Sequence, residues 1–486
     1  MFENDHSEPC GSSWHLLLDS PDVFYAVLEL LDTTSQKALR QACKSAKTLI
    51  DAAITTLNLE LDYDEEGGED VQLSTALQIE EDKARYLNNL HQTTAWKTFP
   101  GVGGCWRHAK QIHIDGCPFS ELTLQLIQNA ALRWPYVQQL KLTRCRLGRW
   151  GHTELMSALT THQWPCLESL ELQDCGINDT DLELLAQLKA PRLYELDLSG
   201  NRIRSLQNLT AAGPPTWPDL ESLAVCRNRL LNIQASLPIL VKAFTRLDDL
   251  DLSGIPLGTQ DIAAIAAMEW PSLTWLTLAD CHLIDGSLSS FAAGAELDSF
   301  TPSSFPVRGL KTLLRLDLRS NLFRGVAAIE LLGNASAAMP HLRSLDLSSN
   351  GTMNNNALSA LKGTSWPALE HFEACNMVLV TSAVQGITGA AMPRLRCLNL
   401  RNSIMSWIAV DHLPQGKWPQ LRKLDLGGLN GVHLRRAGQS LAGAEWPRLK
   451  WLVLRGGPAT RIKNVNRKAL LLLKDRWPNL QVRFES

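Results

Sequence analysis

"WPCLESLELQDCGI", residues 164–177, sets a tryptophan directly before a proline, spaces leucines at 167, 170 and 172, and ends on a polar turn containing Cys175. Leu170 and Leu172 flank Glu171, and alternation of this kind puts two apolar side chains on one face of a short strand and the residue between them on the other. The spacing then returns along the chain. With L-x-x-L-x-L-x-x-(N/C) as the template, first positions fall at or near Ala109, Val137, Leu167, Leu193, Leu220, Leu247, Leu273, Leu313, Leu342, Leu369, Leu395, Leu421, Leu449 and Leu480. Most steps are 26 to 31 residues. Such a period means stacked supersecondary units, none able to bury its apolar face alone. The stretch that follows, "NDTDLELLAQL" at 178–188, places capping residues before Leu182, Leu185 and Leu188, and so predicts a helix that covers the strand's inner face. Trp106, Trp134, Trp164, Trp217, Trp270, Trp366, Trp418, Trp446 and Trp477 each stand three residues before a first position, usually with proline next. Proline disfavours helix in the residue before it, so Trp-Pro marks where the chain leaves the helix for the next strand. Phe244, Met339 and Met392 hold the same slot elsewhere, which suits packing of coil on coil.

"LYELDLSGN" at 193–201, "LRSLDLSSN" at 342–350 and "LESLELQDC" at 167–175 resemble the leucine-rich repeat, over roughly residues 105–486. The resemblance implies an α/β solenoid: a horseshoe with a parallel concave sheet and convex helices. In the repeat the ninth position turns inward. Asn201, Asn228, Asn321 and Asn350 occupy it and are expected to hydrogen-bond neighbouring backbone as a ladder, with Cys117, Cys145, Cys175 and Cys281 in the same slot as in the family's cysteine-containing subclass. Ile255, Met377, Leu429 and Gly457 interrupt it.

At 486 residues the chain exceeds what one compact core sustains, which agrees with an elongated repeat. Hydrophobic residues are 45% and the net charge is -3, so no basic excess exists to neutralise phosphates, and nucleic acid is not expected as a partner. No apolar run approaches the roughly 18 residues a spanning helix needs, and the start lacks a signal-peptide pattern, so the expectation is a cytoplasmic protein, with the nucleus also open and no membrane partner. Eleven cysteines, an odd number recurring at one repeat position, read as reduced thiols packed as small hydrophobes. Motifs for phosphate, acyl and metal chemistry are absent, so no enzyme, catalytic residue or cofactor is expected. Cys105, His108, His113 and Cys117 number the ligands of a zinc site, yet the register sends His113 off the open strand face and Cys117 inward, so no metal is expected.

Residues 20–61 lack this period and read as two or three short helices: Pro21 suits a first turn, Val27, Leu28 and Leu31 form an apolar face, and Thr33-Thr34-Ser35 offers the next cap. The stretch resembles an F-box, with a proline-initiated helix, an aliphatic pair, a polar turn and the "ALRQACKSAKTLI" helix; Ser20 and Ala46 stand where that family has leucine and tryptophan. The organisation so read is an F-box-like module at 14–60, an acidic linker and capping helix at 61–104, and repeats at 105–486. F-box likeness implies docking of the Skp-type adaptor of a cullin ubiquitin ligase through Pro21, Val27, Leu28 and Leu31, while the repeats capture a protein substrate. The alternative is a helical cap on a repeat scaffold or inhibitor with no link to ubiquitin.

The surface left for a partner is the outward strand positions. The fifth-position row runs His113, Lys141, Glu171, Asp197, Ala224, Asp251, Thr277, Asp317, Asp346, Glu373, Asn399, Asp425 and Val453, with Arg319, Arg401 and Arg455 two residues beyond three of these. Stacked carboxylates on neighbouring strands repel, which favours either a cationic partner or local arginine pairing. Trp275 and Trp451 hold the third position, which also points outward, beside His371 and Lys423 in the same row. They are candidate recognition aromatics unless a rim loop covers them. The 40-residue step from Leu273 to Leu313 implies an insertion at 291–309.

Overall fold

The computed structural model of the chain describes residues 56–60, 110–115, 136–144, 151–210, 217–292, 310–336, 338–351, 356–428, 439–455 and 467–485. Pro21, Val27, Leu28 and Leu31, the acidic stretch at 61–75, and Cys105, His108 and Cys117 lie outside them, as do residues 293–309 of the insertion. The chain forms two compact units, Met1–Asn201 with Ala211–Asp219 and Arg202–Thr210 with Leu220–Ser486.

In the first unit, strands β1 (Thr56–Glu60), β2 (Gln111–Asp115), β3 (Gln139–Thr143), β4 (Ser169–Gln173) and β5 (Glu195–Asp197) pair in parallel, each with the next. The register is that of the repeat: Leu140, Leu170 and Leu196 are mutual partners, as are Lys141, Glu171 and Asp197. β1 departs from the helical reading of residues 20–61. Thr56–Glu60 pairs with β2 in the same register, and "ITTLNL" at 54–59 carries the repeat's spacing with isoleucine in the first place. Helices α1 (Gly151–Thr161) and α2 (Asp179–Leu185) return the chain, α2 opening on a capping box in which Asn178 accepts from Thr180 and Asp181 amides and Asp181 accepts from the Asn178 amide.

The second unit continues the pattern with β6 (Ser222–Ala224), β7 (Asp249–Asp251), β8 (Trp275–Thr277), β9 (Arg315–Asp317), β10 (Ser344–Asp346), β11 (His371–Glu373), β13 (Cys397–Asn399), β15 (Lys423–Leu426), β16 (Trp451–Arg455) and β17 (Gln481–Glu485) in one parallel sheet. Two short strands, β12 (Val378–Leu379) and β14 (Ile404–Met405), pair beside it. The returns are helices such as α3 (Ile233–Ala243), α4 (Thr259–Ala267), α5 (Val326–Ala335) and α6 (Thr381–Gly389), or single 3-10 turns such as Ala357–Leu361. α6 crowds one of these turns so closely that a Cβ on Gly386 would lie 1.9 Å from the Leu358 carbonyl oxygen. In the last coil the register slips by one residue, so that Val482 rather than Arg483 lies opposite Leu452.

The inward ninth position forms the expected ladder. Asn201 Oδ1 accepts from the Cys175 and Ile177 amides at 3.0 Å each, while its Nδ2 donates to Leu172 O at 2.7 Å and Leu198 O at 2.8 Å. Asn321 repeats this against Cys281, Leu283, Leu278 and Leu318. A cysteine serves the slot with one sulfur: Cys175 Sγ donates to Leu142 O at 3.4 Å, and Cys281 Sγ donates to Leu252 O at 3.2 Å and is met by the Ile255 and Gly254 amides. Burial pushes the Cys281 thiol up to about 12, so it stays protonated and inert. Among the interruptions, Ile255 and Met377 are buried instead, and Ser403, in the ninth position of its coil, restores the bonds by donating to Ala374 O and accepting from the Met377 amide.

The Trp-Pro rings are interior. Trp164, Trp217, Trp366, Trp418 and Trp446 are among the largest fully buried side chains, and Trp270 and Trp477 are buried too. Five of these indole N–H groups cap backbone, in two ways, while Trp366 donates to Thr364 Oγ1. Trp164 and Trp270 donate to Leu159 O and Ile265 O five residues back, whereas Trp217, Trp446 and Trp477 reach the preceding coil at Leu188 O, Gly416 O and Trp446 O. Trp418, Trp446 and Trp477 also stack, with centroids 5.5 and 6.4 Å apart. Trp446→Ala therefore removes both stacks and a buried hydrogen bond, and should cost about 3–5 kcal/mol. Urea unfolding of the full chain measures it, with hydrogen exchange expected to rise first in the coils around Trp418 and Trp477.

Candidate functional site

In these coils the fourth and sixth strand positions point into the core, leaving the third, fifth and seventh to the open sheet face. In the first unit Lys141, Glu171 and Asp197 lie side by side on it, with Lys141 Nζ 2.5 Å from Glu171 Oε2 and Gln173 Nε2 donating to Asp197 Oδ2 at 2.5 Å. His113 sits on the same face with Nε2 3.4 Å from Thr143 Oγ1.

The fifth-position aspartates have a structural duty. In each coil one carboxylate oxygen accepts the backbone amide two residues on: Ser199 to Asp197 at 2.8 Å, Ser253 to Asp251 at 2.9 Å, Arg319 to Asp317 at 3.0 Å, Ser348 to Asp346 at 2.8 Å and Gly427 to Asp425 at 3.0 Å. This turn bends the chain off the strand toward an eighth residue in the left-handed region, as at Gly200, Gly254, Ser320 and Ser349. Asn399 does the same for the Arg401 amide at 3.2 Å, so an amide side chain suffices.

The other carboxylate oxygen differs from coil to coil. Asp317 Oδ2 lies 3.1 Å from Arg319 Nε, and Asp425, almost fully buried, lies 3.4 Å from Lys423 Nζ. Glu373 accepts from Asn399 Nδ2 at 2.8 Å. Asp251, Asp346 and Glu373 have no cationic partner among the described residues. Burial, together with the charges of Asp346 and Asp251 and against the pull of the Arg319 amide and guanidinium, pushes the Asp317 carboxyl up to about 6.

The two outward tryptophans are placed as the register requires. Trp275 is 40% exposed, with the Arg315 guanidinium 3.9 Å from its ring centroid on the adjoining strand. Trp451 is half-buried under Arg483, at 4.8 Å. Sequence reading missed both arginines as ring partners, although Arg315 is visible as the third-position residue of the coil after Trp275. His371 is exposed between Ser344 and Cys397, and Arg401 is exposed at the end of β13. Burial raises the Cys397 thiol to about 11, with Lys423 opposing, so it is no nucleophile at neutral pH. No group of side chains suited to hold a metal occurs among the described residues, and no helix among them is long and apolar enough to cross a membrane.

Residues 165–186 and 338–362 match the family profile of the leucine-rich repeat. Similar solved structures include an internalin from Listeria monocytogenes, 15% identical over 84% of this chain and 92% of that one, with a TM-score of 0.41. A chain of the yeast Rad7 and Elc1 complex is 17% identical over 82% of this chain and 87% of its own, with a TM-score of 0.40. No curated protein matches the sequence. With its in-register parallel strands, inward asparagine ladder and helical returns, the fold is a leucine-rich-repeat solenoid.

A raised carboxyl pKa is a pH-dependent load on the fold. Above about 6, Asp317 is ionised in the folded state at a cost; below its ordinary value near 3.8 it is protonated both folded and unfolded, and the cost is gone. Asp317→Asn keeps the turn acceptor, as Asn399 shows. Relative to wild type, the variant should therefore gain stability as pH rises from 4 through about 6, in urea midpoints taken at each pH. A difference flat in pH would show that Asp317 has an ordinary pKa.

Proposed function

We propose that the protein is a non-enzymatic recognition protein and, specifically, a substrate receptor of a cullin-type ubiquitin ligase. Residues 14–60 would dock a Skp-type adaptor, and the sheet face would hold the protein to be modified. The chain would supply proximity and orientation, with transfer chemistry in other subunits. The observation that carries recognition is the open face itself. Its strands are in register, its aromatic Trp275 is exposed, and its backbone turns are already satisfied, so a partner meets a fixed pattern of side chains. The ligase assignment is supported by the F-box-like spacing around Pro21, Val27, Leu28 and Leu31. Replacing Leu28 and Leu31 by alanine should reduce co-purification of the adaptor at least tenfold and leave the thermal transition of the repeats unchanged. Undiminished capture would remove the ligase role.

A second reading, a repeat scaffold or inhibitor whose leading segment only closes the solenoid, is favoured by β1, which places Thr56–Glu60 in the sheet within the stretch read as the adaptor module. Removing residues 1–53 spares β1 and separates the two. A cap's loss should lower the first melting transition by several degrees and deprotect amides of β1 and β2 in hydrogen exchange. A tethered adaptor module should leave both unchanged.

A further inference from the structure

The charges on the open face of the second unit do not balance locally. Four of its cations are engaged: Arg319 by Asp317, Lys423 by Asp425, Arg315 on the Trp275 ring and Arg483 on the Trp451 ring. The turns already occupy one oxygen each of Asp251 and Asp346, and Asn399 occupies one of Glu373, and none of the three forms an ion pair with a cation among the described residues. These side chains are half-buried, so desolvation by an uncharged partner would be costly unless the partner brought positive charge. Asp317, whose carboxyl is raised chiefly by its own burial, also feels the charges of Asp346 and Asp251. Beside the row, Trp275 remains open to solvent.

Resting on the recognition reading above, we propose that the sheet face from β7 to β11 takes an extended basic segment of a protein partner, its lysine or arginine side chains over Asp251, Asp346 and Glu373 and one stem against Trp275. The dimensions agree. Four strand spacings of about 4.8 Å give roughly 19 Å, which an extended chain at about 3.3 Å per residue crosses in about six residues. Alternate side chains of such a segment point to one side about 6.7 Å apart, and the long stems of lysine and arginine absorb the mismatch with the strand spacing. The face repels nucleic acid and acidic segments by the same charge.

The test uses the full chain and a fluorescein-labelled octapeptide of alternating lysine and serine, read by anisotropy. Binding is expected to weaken at least tenfold in the double variant Asp346→Asn/Glu373→Gln and at least threefold in Trp275→Ala. The helix-side control Glu183→Gln/Glu330→Gln, with the same change in net charge, should stay within twofold of wild type. Asn399 shows that the Asp346→Asn turn survives, and matched melting temperatures check folding. Equal loss in the control, equal binding of the glutamate-serine peptide, or no binding by wild type would overturn the proposal. Target capture by the intact chain tells the two readings apart. Capture lost in Trp275→Ala but untouched by Asp346→Asn/Glu373→Gln overturns the basic segment and leaves recognition standing. Capture untouched by every change on the face overturns both.

Discussion

The structure depends on one constraint: after each short strand the backbone turns inward, and its amides and carbonyls must find partners away from water. An unsatisfied buried group costs about 1–3 kcal/mol, so a dozen unpaired turns would exceed any stability the coils gain from burial. The ninth-position side chain resolves this by bonding its own coil and the one before it. Asn201 and Asn321 each serve two amides and at least two carbonyls, so every such residue is a bolt between neighbours rather than a local turn. Cysteine and serine supply part of the same service, which explains why the slot tolerates three chemistries but is filled by small polar groups wherever the ladder continues.

Once that seam is fixed, the remaining positions sort themselves by direction. Leucines of the strand and the return helix fill the interior, and the Trp-Pro indoles close the coil where the helix has ended, several of them donating to backbone carbonyls, as at Leu159 and Gly416. A flat ring in the same slot of successive coils naturally stacks, as Trp418, Trp446 and Trp477 do. Because these residues are occupied in holding coil to coil, the outward strand positions are the ones free to vary without unpicking the fold.

Most of this was legible in the sequence because the period is long, in phase and chemically specific: leucine spacing fixed the strand faces, and Asn201, Asn321 and Asn350 announced the ladder. What escaped has definite causes. β1 escaped because isoleucine replaces leucine at its first position and the stretch before it carries a helix-like pattern in the sequence. Ser403 escaped because a lone serine in a turn carries no distinctive signal, although it stands eight residues after Leu395. The slip of β17 is a one-residue shortening that a spacing template anchored on Trp477 reads past. For the open face, the sequence located Asp251, Asp317, Asp346, Trp275 and Trp451 correctly on one side of the sheet. It could not show that one oxygen of each aspartate is consumed by the backbone amide two residues on, since that bond depends on the left-handed residue that follows it.

That shared use of the aspartates bears on how the face would recognise anything. A carboxylate pinned at one oxygen by a backbone amide has little rotamer freedom left to lose, so its second oxygen is presented at low entropic cost. Trp275, braced by Arg315, is held in the same way by a ring contact instead of a hydrogen bond. Preorganisation of this sort comes from the local needs of the repeat, yet it yields rigid, outward-facing groups at the regular spacing of the strands. Surfaces with fixed groups favour partners that can adjust to them, and an extended segment with long flexible side chains adjusts more readily than a folded surface with a curvature of its own.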